Sequence, residues 1–210
     1  MMFKSKRYRA LELFVLFVLF PVSLVLQWPM ETKITLGALA FLYVILITVM
    51  VDNFSFSKIS KSKWRPFIIG TAIKFSVIAL LLSIYVYVTT PEKLYYVVIE
   101  KTKVWLFFLA VYTLVSVIPQ ELVYRTFFFK RYELLFKNKN LFILINAGLF
   151  SLGHLFFGNT LVMFITFIGG LLFAFTYSKT KSTLFVLIEH TLYGCWLYTV
   201  GMGEMLGFPA

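Results

Sequence analysis

His154 and His190 are the only two histidines in the 210-residue chain. Glu189 directly precedes His190. A second carboxylate, Glu121, lies in the run Pro119-Gln120-Glu121-Leu122-Val123-Tyr124-Arg125. Imidazole and carboxylate are the side chains that can take a proton from water and return it to a leaving group. Two imidazoles and a carboxylate are therefore the equipment of a hydrolase. They are also the ligand count of a hydrolytic zinc site. No His-Glu-x-x-His helix is present to carry such an ion, so zinc would draw on Glu121, His154 and His190.

Spacing groups these residues further. At about 100° per residue, Gln120, Glu121, Tyr124 and Arg125 share one arc of a helix. Glu121 and Arg125 stand at i, i+4 and can pair, and Pro119 predicts a kink just before them. Asn146, Phe150, Gly153 and His154 share a face, with Phe150 one turn before His154 and able to pack on its imidazole. The small residues Ala147, Gly148, Ser151 and Gly153 permit close helix approach. Glu189, His190 and Tyr193 form a third arc, and Gly194, one turn after His190, leaves space beside it. Several roles stay open. Glu121 is either a base or the partner that neutralises Arg125. Arg125 is either a structural clamp or a binder of a substrate carboxylate. Glu189 is either a base or an orienting group for a histidine. Lys74 either snorkels or pairs.

The surrounding elements must be membrane helices. The chain is 60% hydrophobic and 14% charged, against roughly 45–50% and about 25% in soluble domains. Its mean hydropathy is +0.89. These values exclude a soluble globular enzyme and a disordered chain. With about 20 apolar residues per span, seven candidates follow: 10–27, 34–51, 67–88, 104–129, 141–157, 160–177 and 183–202. Leu94–Ile99 suits an interfacial helix. Placing the N-terminus in the cytoplasm puts 14 basic residues inside. These are Lys4, Lys6, Arg7, Arg9, Lys58, Lys61, Lys63, Arg65, Lys130, Arg131, Lys137, Lys139, Lys179 and Lys181. Four lie outside: Lys33, Lys93, Lys101 and Lys103. That bias predicts N-in, C-out. Residues 1–103 then form an N-terminal scaffold and 104–210 a catalytic-type helical bundle, with short connections such as Gly158-Asn159. From the estimated depths, Glu121, His154 and His190 could meet in the inner half of the membrane.

The net charge of +11 sits in short clusters between apolar runs, as membrane loops carry it. No phosphate loop, metal-finger spacing or aromatic-basic repeat points to nucleic acid. Cys195, the only cysteine, allows no intrachain disulfide and reads as a buried, inert thiol. The basic start and apolar 10–27 read as a retained signal anchor, with no small-x-small cleavage site.

The three segments resemble the motifs of the CAAX-protease and bacteriocin-processing family, also called Abi. Its motifs are Glu-Glu-x-x-x-Arg, Phe-x-x-x-His and His-x-x-x-Asn. Here they stand as Gln120-Glu121-x-x-x-Arg125, Phe150-x-x-x-His154 and His190-x-x-x-Gly194. The resemblance implies an all-α, polytopic intramembrane endopeptidase acting on membrane-anchored or lipidated proteins or peptides in the lipid bilayer. It implies that a glutamate and His154 activate water and that His190 polarises the carbonyl, with Gln120 as an amide donor. Two positions depart from the pattern. Gln120 cannot act as a base, and Gly194 offers no side-chain donor to an oxyanion. These departures keep a non-catalytic scaffold or immunity protein as the alternative. A small-solute transporter with the buried charges as a relay comes third, without repeat symmetry to support it. The short chain and basic N-terminal anchor suggest a bacterial inner membrane.

Overall fold

The computed structural model describes residues 2–51 and 60–209; Lys58, counted above among the inner basic residues, lies outside them. All regular structure among the described residues is helical. We number the helices α1 (residues 6–23), α2 (Met30–Val51), α3 (Lys61–Thr89), α4 (Tyr96–Glu100), α5 (Thr102–Leu135), α6 (Lys139–Leu152), α7 (Thr160–Thr180) and α8 (Thr183–Thr199). Five stretches are long and apolar enough to cross a membrane: α2, α3, α5, Lys139–Phe157 and α7. The two other expected spans are α1, whose first turns carry Lys6, Arg7, Arg9 and Glu12, and the 17-residue α8.

Local chemistry sets the boundaries. Ser5 caps α1 by accepting from the Tyr8 N–H, Asn138 caps α6 through Asn140 and Leu141, and Ser182 caps α8 through Phe185. The Asn159 side chain accepts from Leu161 N–H and Val162 N–H at the start of α7. Gly158 turns the chain into α7 with φ +62°, a conformation open to glycine at little cost. The helices leave apolar side chains bare. Ile73, Leu80, Leu81 and Val88 on α3 are 61%, 61%, 61% and 72% exposed. A stripe of that kind needs hydrocarbon around it rather than water, so the protein is a multi-pass integral membrane protein.

α5 departs from the regular helix that the sequence suggests. It runs as wide π turns over Tyr112–Val117 and Leu122–Phe127, with a single α segment, Ile118–Glu121, between them. Pro119 has no N–H for the carbonyl four residues earlier and crowds it. Wide turns, in which N–H groups reach back five residues, absorb that loss. The expected kink is therefore a change of helical winding on both sides of Pro119.

The contacts divide the chain into two compact units. One comprises Met1–Ser57 and Gln120–Lys179, the other Lys58–Pro119 and Thr180–Ala210. In the first unit, α1 is tied to the end of α5 by charge. Arg131 donates from Nε to Glu12 Oε2 at 2.7 Å and from Nη2 to the Phe3 carbonyl at 2.7 Å. Tyr132 and Tyr43 hydroxyls also donate to the Glu12 carboxylate. Arg131, counted among the inner basic residues, is fully buried, and Glu12 in the first expected span is a buried carboxylate that spacing did not single out. α6 and α7 approach closely where a Cβ on Gly170 would meet Ala147 Cα at 3.1 Å. The Ser151 hydroxyl donates to the Met163 carbonyl at 2.7 Å alongside. Gly148, also expected at such a contact, has open space beside it.

In the second unit, α8 packs on α3. Phe185 stacks on Phe67 at 4.1 Å between ring centroids, and Phe75 lies against Tyr193 and Trp196. The Trp105 indole N–H donates to Thr199 Oγ1 at 3.0 Å, joining α5 to α8. The expected Leu94–Ile99 segment overlaps the separate short helix α4, entered through Tyr95 at φ 58°.

Candidate active site

In the first unit Glu121 ends the short α segment after Pro119 and Arg125 lies in the wide turn that follows, and both are fully buried. The Arg125 Nε lies 3.4 Å from Glu121 Oε2. An unpartnered guanidinium at such depth would be expensive, and this one is held on several sides. Its Nη1 donates to Asn146 Oδ1 at 3.0 Å. Its planar face lies over Phe150 at 4.8 Å and Phe173 at 5.6 Å from the ring centroids, an arrangement favoured by the negative faces of both rings. Asn146 returns a second bond, donating from Nδ2 to the Tyr124 carbonyl at 2.8 Å. A single amide thereby fixes both the arginine head and the backbone of the wide turn. Sequence spacing places Asn146 on the face of Phe150 and His154 but does not show that it reaches Arg125.

His154 stands just beyond the end of α6, in the turn before Leu155–Phe157, with its backbone at φ −104° and ψ 6°. Its Nδ1 lies 2.8 Å from the Phe150 carbonyl. A carbonyl can only accept, so this bond places the imidazole proton on Nδ1 and the lone pair on Nε2. The Phe150 ring packs on the imidazole at 4.8 Å between centroids, and Phe157 lies beyond it at 6.1 Å. Tyr124 stands edge-on to Phe150 at 5.2 Å. Its hydroxyl occupies the place that a Cβ on Gly153 would need, which gives that glycine a steric reason next to His154. Gln120, the first residue of this unit's second segment, is partly buried.

In the second unit Glu189 is fully buried and His190 is 5% exposed. Glu189 Oε1 accepts from the Lys74 ammonium of α3 and, at 2.9 Å, from the Tyr193 hydroxyl one turn along α8. Lys74 therefore pairs rather than only snorkelling. Its partner lies 115 residues away, beyond any spacing rule. The Tyr112 ring stands edge-on to His190, with centroids 6.1 Å apart. Sequence reasoning passed over Tyr112 because an aromatic in an apolar run carries no signal of its own. Cys195 is part-buried and free of any disulfide. Within neither unit do three His, Cys, Asp or Glu side chains converge as metal ligands among the described residues. Of the residues expected as zinc ligands, Glu121 and His154 belong to the first unit and His190 to the second.

Helices that expose apolar faces, bury a Glu/Arg pair and His190, and hold His154 half-buried define a polytopic membrane protein with hydrolase-type side chains inside it. The family model described as Type II CAAX prenyl endopeptidase Rce1-like matches residues 101–196. The matched segment contains all three motifs, Gln120–Arg125, Phe150–His154 and His190–Gly194. Neither a curated protein nor a solved structure matches the chain.

Proposed function

We propose that the protein is an intramembrane endopeptidase that hydrolyses a peptide bond of a membrane-anchored or lipidated substrate. The observation that carries this reading is the family match over residues 101–196, which spans Glu121, His154 and His190 together. Glu121, with His154 Nε2, takes a proton from the attacking water, and His190 donates to the scissile carbonyl. Glu121 is taken as the base because it stands in the first motif of the matched segment, and Glu189, which accepts from Lys74 and Tyr193, is taken as a positioning residue. Arg125, held by Asn146 and two phenyl rings, positions Glu121. Tyr124 and Phe150 set the place of the His154 ring. The membrane in question is proposed to be a bacterial inner membrane, from the basic N-terminal anchor.

The test uses purified protein and a library of membrane-anchored peptides read by mass spectrometry. Wild type is expected to cleave, and His154→Ala and His190→Ala are each expected to lose cleavage by at least about 100-fold. Wild-type activity in either variant contradicts the assignment. Repeating the assay with a chelator separates a metal-dependent from a metal-independent reaction.

A second reading, a non-catalytic scaffold or immunity protein, is favoured by Gln120 and Gly194, which replace the acid and the amide of the family pattern. It expects no cleavage by wild type and no change in cells on Gln120→Glu.

A further inference from the structure

Gly194 lies one turn after His190 on α8, where the family pattern has an asparagine. Its vacant side-chain position is filled from another helix. A Cβ added at Gly194 would collide with the Tyr112 hydroxyl, and the next nearest atoms are Cζ and Cε1 of the same ring. The phenol of α5 is thus lodged against the Gly194 backbone, edge-on to the His190 imidazole. On its other side the Tyr112 ring meets Phe208 at 5.5 Å, and Phe208 stacks on Tyr198 at 4.8 Å. The ring is therefore fixed between His190 and the C-terminal segment. Its hydroxyl lies against the Gly194 backbone, and its ring stands beside the histidine that the proposed reaction uses on the carbonyl.

We infer that Tyr112 is a catalytic residue: its O–H donates, together with a His190 N–H, to the oxygen of the scissile carbonyl. This rests on the endopeptidase reading above. As the water oxygen bonds to the carbonyl carbon, the C=O π pair moves onto the carbonyl oxygen. The base takes one water proton. Tyr112 and His190 hold the resulting oxyanion by hydrogen bonds, and Tyr112 keeps its own proton. The pair then returns to re-form C=O as the C–N bond breaks, and the amine leaves with the proton taken from the water. A donor whose ring is already packed in place does not have to reorganise as the charge develops, and this is the circumstance in which such donors contribute most. The glycine is part of the same device, because any side chain there would displace the phenol.

The experiment uses the full chain in liposomes with the peptide that wild type cleaves. Tyr112→Phe removes one oxygen and keeps the ring. It is expected to lower kcat about 100-fold with KM within about twofold and with unchanged thermal unfolding. Tyr112→Ala vacates the position, and Tyr112→Ala/Gly194→Asn refills it with an amide donor from α8. The double variant is expected to regain about tenfold in kcat over Tyr112→Ala. A purely packing role predicts no such regain, so equal activity of these two variants overturns the inference. Wild-type kcat in Tyr112→Phe also overturns it, and where His190→Ala is inactive in the same assay the endopeptidase reading survives. Failure of wild type to cleave any peptide overturns both.

Discussion

Arg125 and Glu189 show how a charge is kept inside an apolar bundle, each by a different means. Arg125 has a carboxylate one turn before it, an amide from α6 and two phenyl faces. Glu189 has an ammonium from α3 and a phenol one turn after it. The pairing of Glu121 with Arg125 is legible in the sequence because both lie on one helix, where i, i+4 fixes proximity. The pairing of Lys74 with Glu189 is not, because it depends on which helices become neighbours. The proposal treats Glu189 as a positioning residue, and this gives a discriminating expectation. Lys74→Met alone leaves a buried carboxylate without its cation and is expected to cost about 3 kcal/mol of stability, the low end of what breaking a buried pair costs. Lys74→Met/Glu189→Gln removes both charges and is expected to recover most of that stability and to cleave within about tenfold of wild type. Thermal unfolding and the peptide assay check the two halves. A double variant that is stable but inactive would reassign Glu189 as the base.

At the scale of elements, the helices follow from composition and caps, while their irregularities do not. The apolar runs at α2, α3, α5, α6 and α7 are plain in the sequence. Pro119 announces a disturbance of α5. Its form, a π turn on each side, depends on how the surrounding helices can receive the wider backbone. One of those turns begins at Tyr112 and the other carries Arg125. Glu12 was legible as a residue within a span, yet its partner Arg131 sits 119 positions away and looked like one more inner-loop cation. The clamp they form joins α1 to the end of α5, shortly after the first motif. Glu12→Ala is expected to lower stability by about 3–5 kcal/mol, because it leaves a buried guanidinium without its carboxylate. Glu12→Ala/Arg131→Met is expected to recover at least half of that. Denaturation in detergent, followed by near-ultraviolet dichroism of the surrounding tyrosines, measures both. A loss under about 1 kcal/mol for Glu12→Ala would show that the pair contributes little to the fold.

For the whole molecule, the composition alone excludes a soluble enzyme, and the bare apolar faces of α3 agree with it. The distribution of lysine and arginine proposes an orientation, with Lys4 inside and Lys93 outside. In a Cys195→Ala background, a cysteine at position 4 is expected to react with a membrane-impermeant maleimide only after the membrane is opened. A cysteine at position 93 is expected to react from outside in intact cells. The reverse pattern would invert the topology. The motif trio was legible because each motif is local to one helix and their order survives any arrangement of the bundle. The bond from Arg125 to Asn146 and the place of Tyr112 beside His190 were not legible, because both exist only once helices distant in sequence are packed.

The central claim is hydrolysis by water within the membrane, and the most direct measurement is cleavage in water enriched with heavy oxygen. Purified wild type and His190→Ala would be incubated with the membrane-anchored peptides, and the fragments weighed. The account predicts that wild type releases an amino-terminal fragment whose new carboxylate carries one heavy oxygen, and that His190→Ala releases none above background. Intact peptides with wild type, or labelled fragments in equal amounts from both proteins, would contradict it.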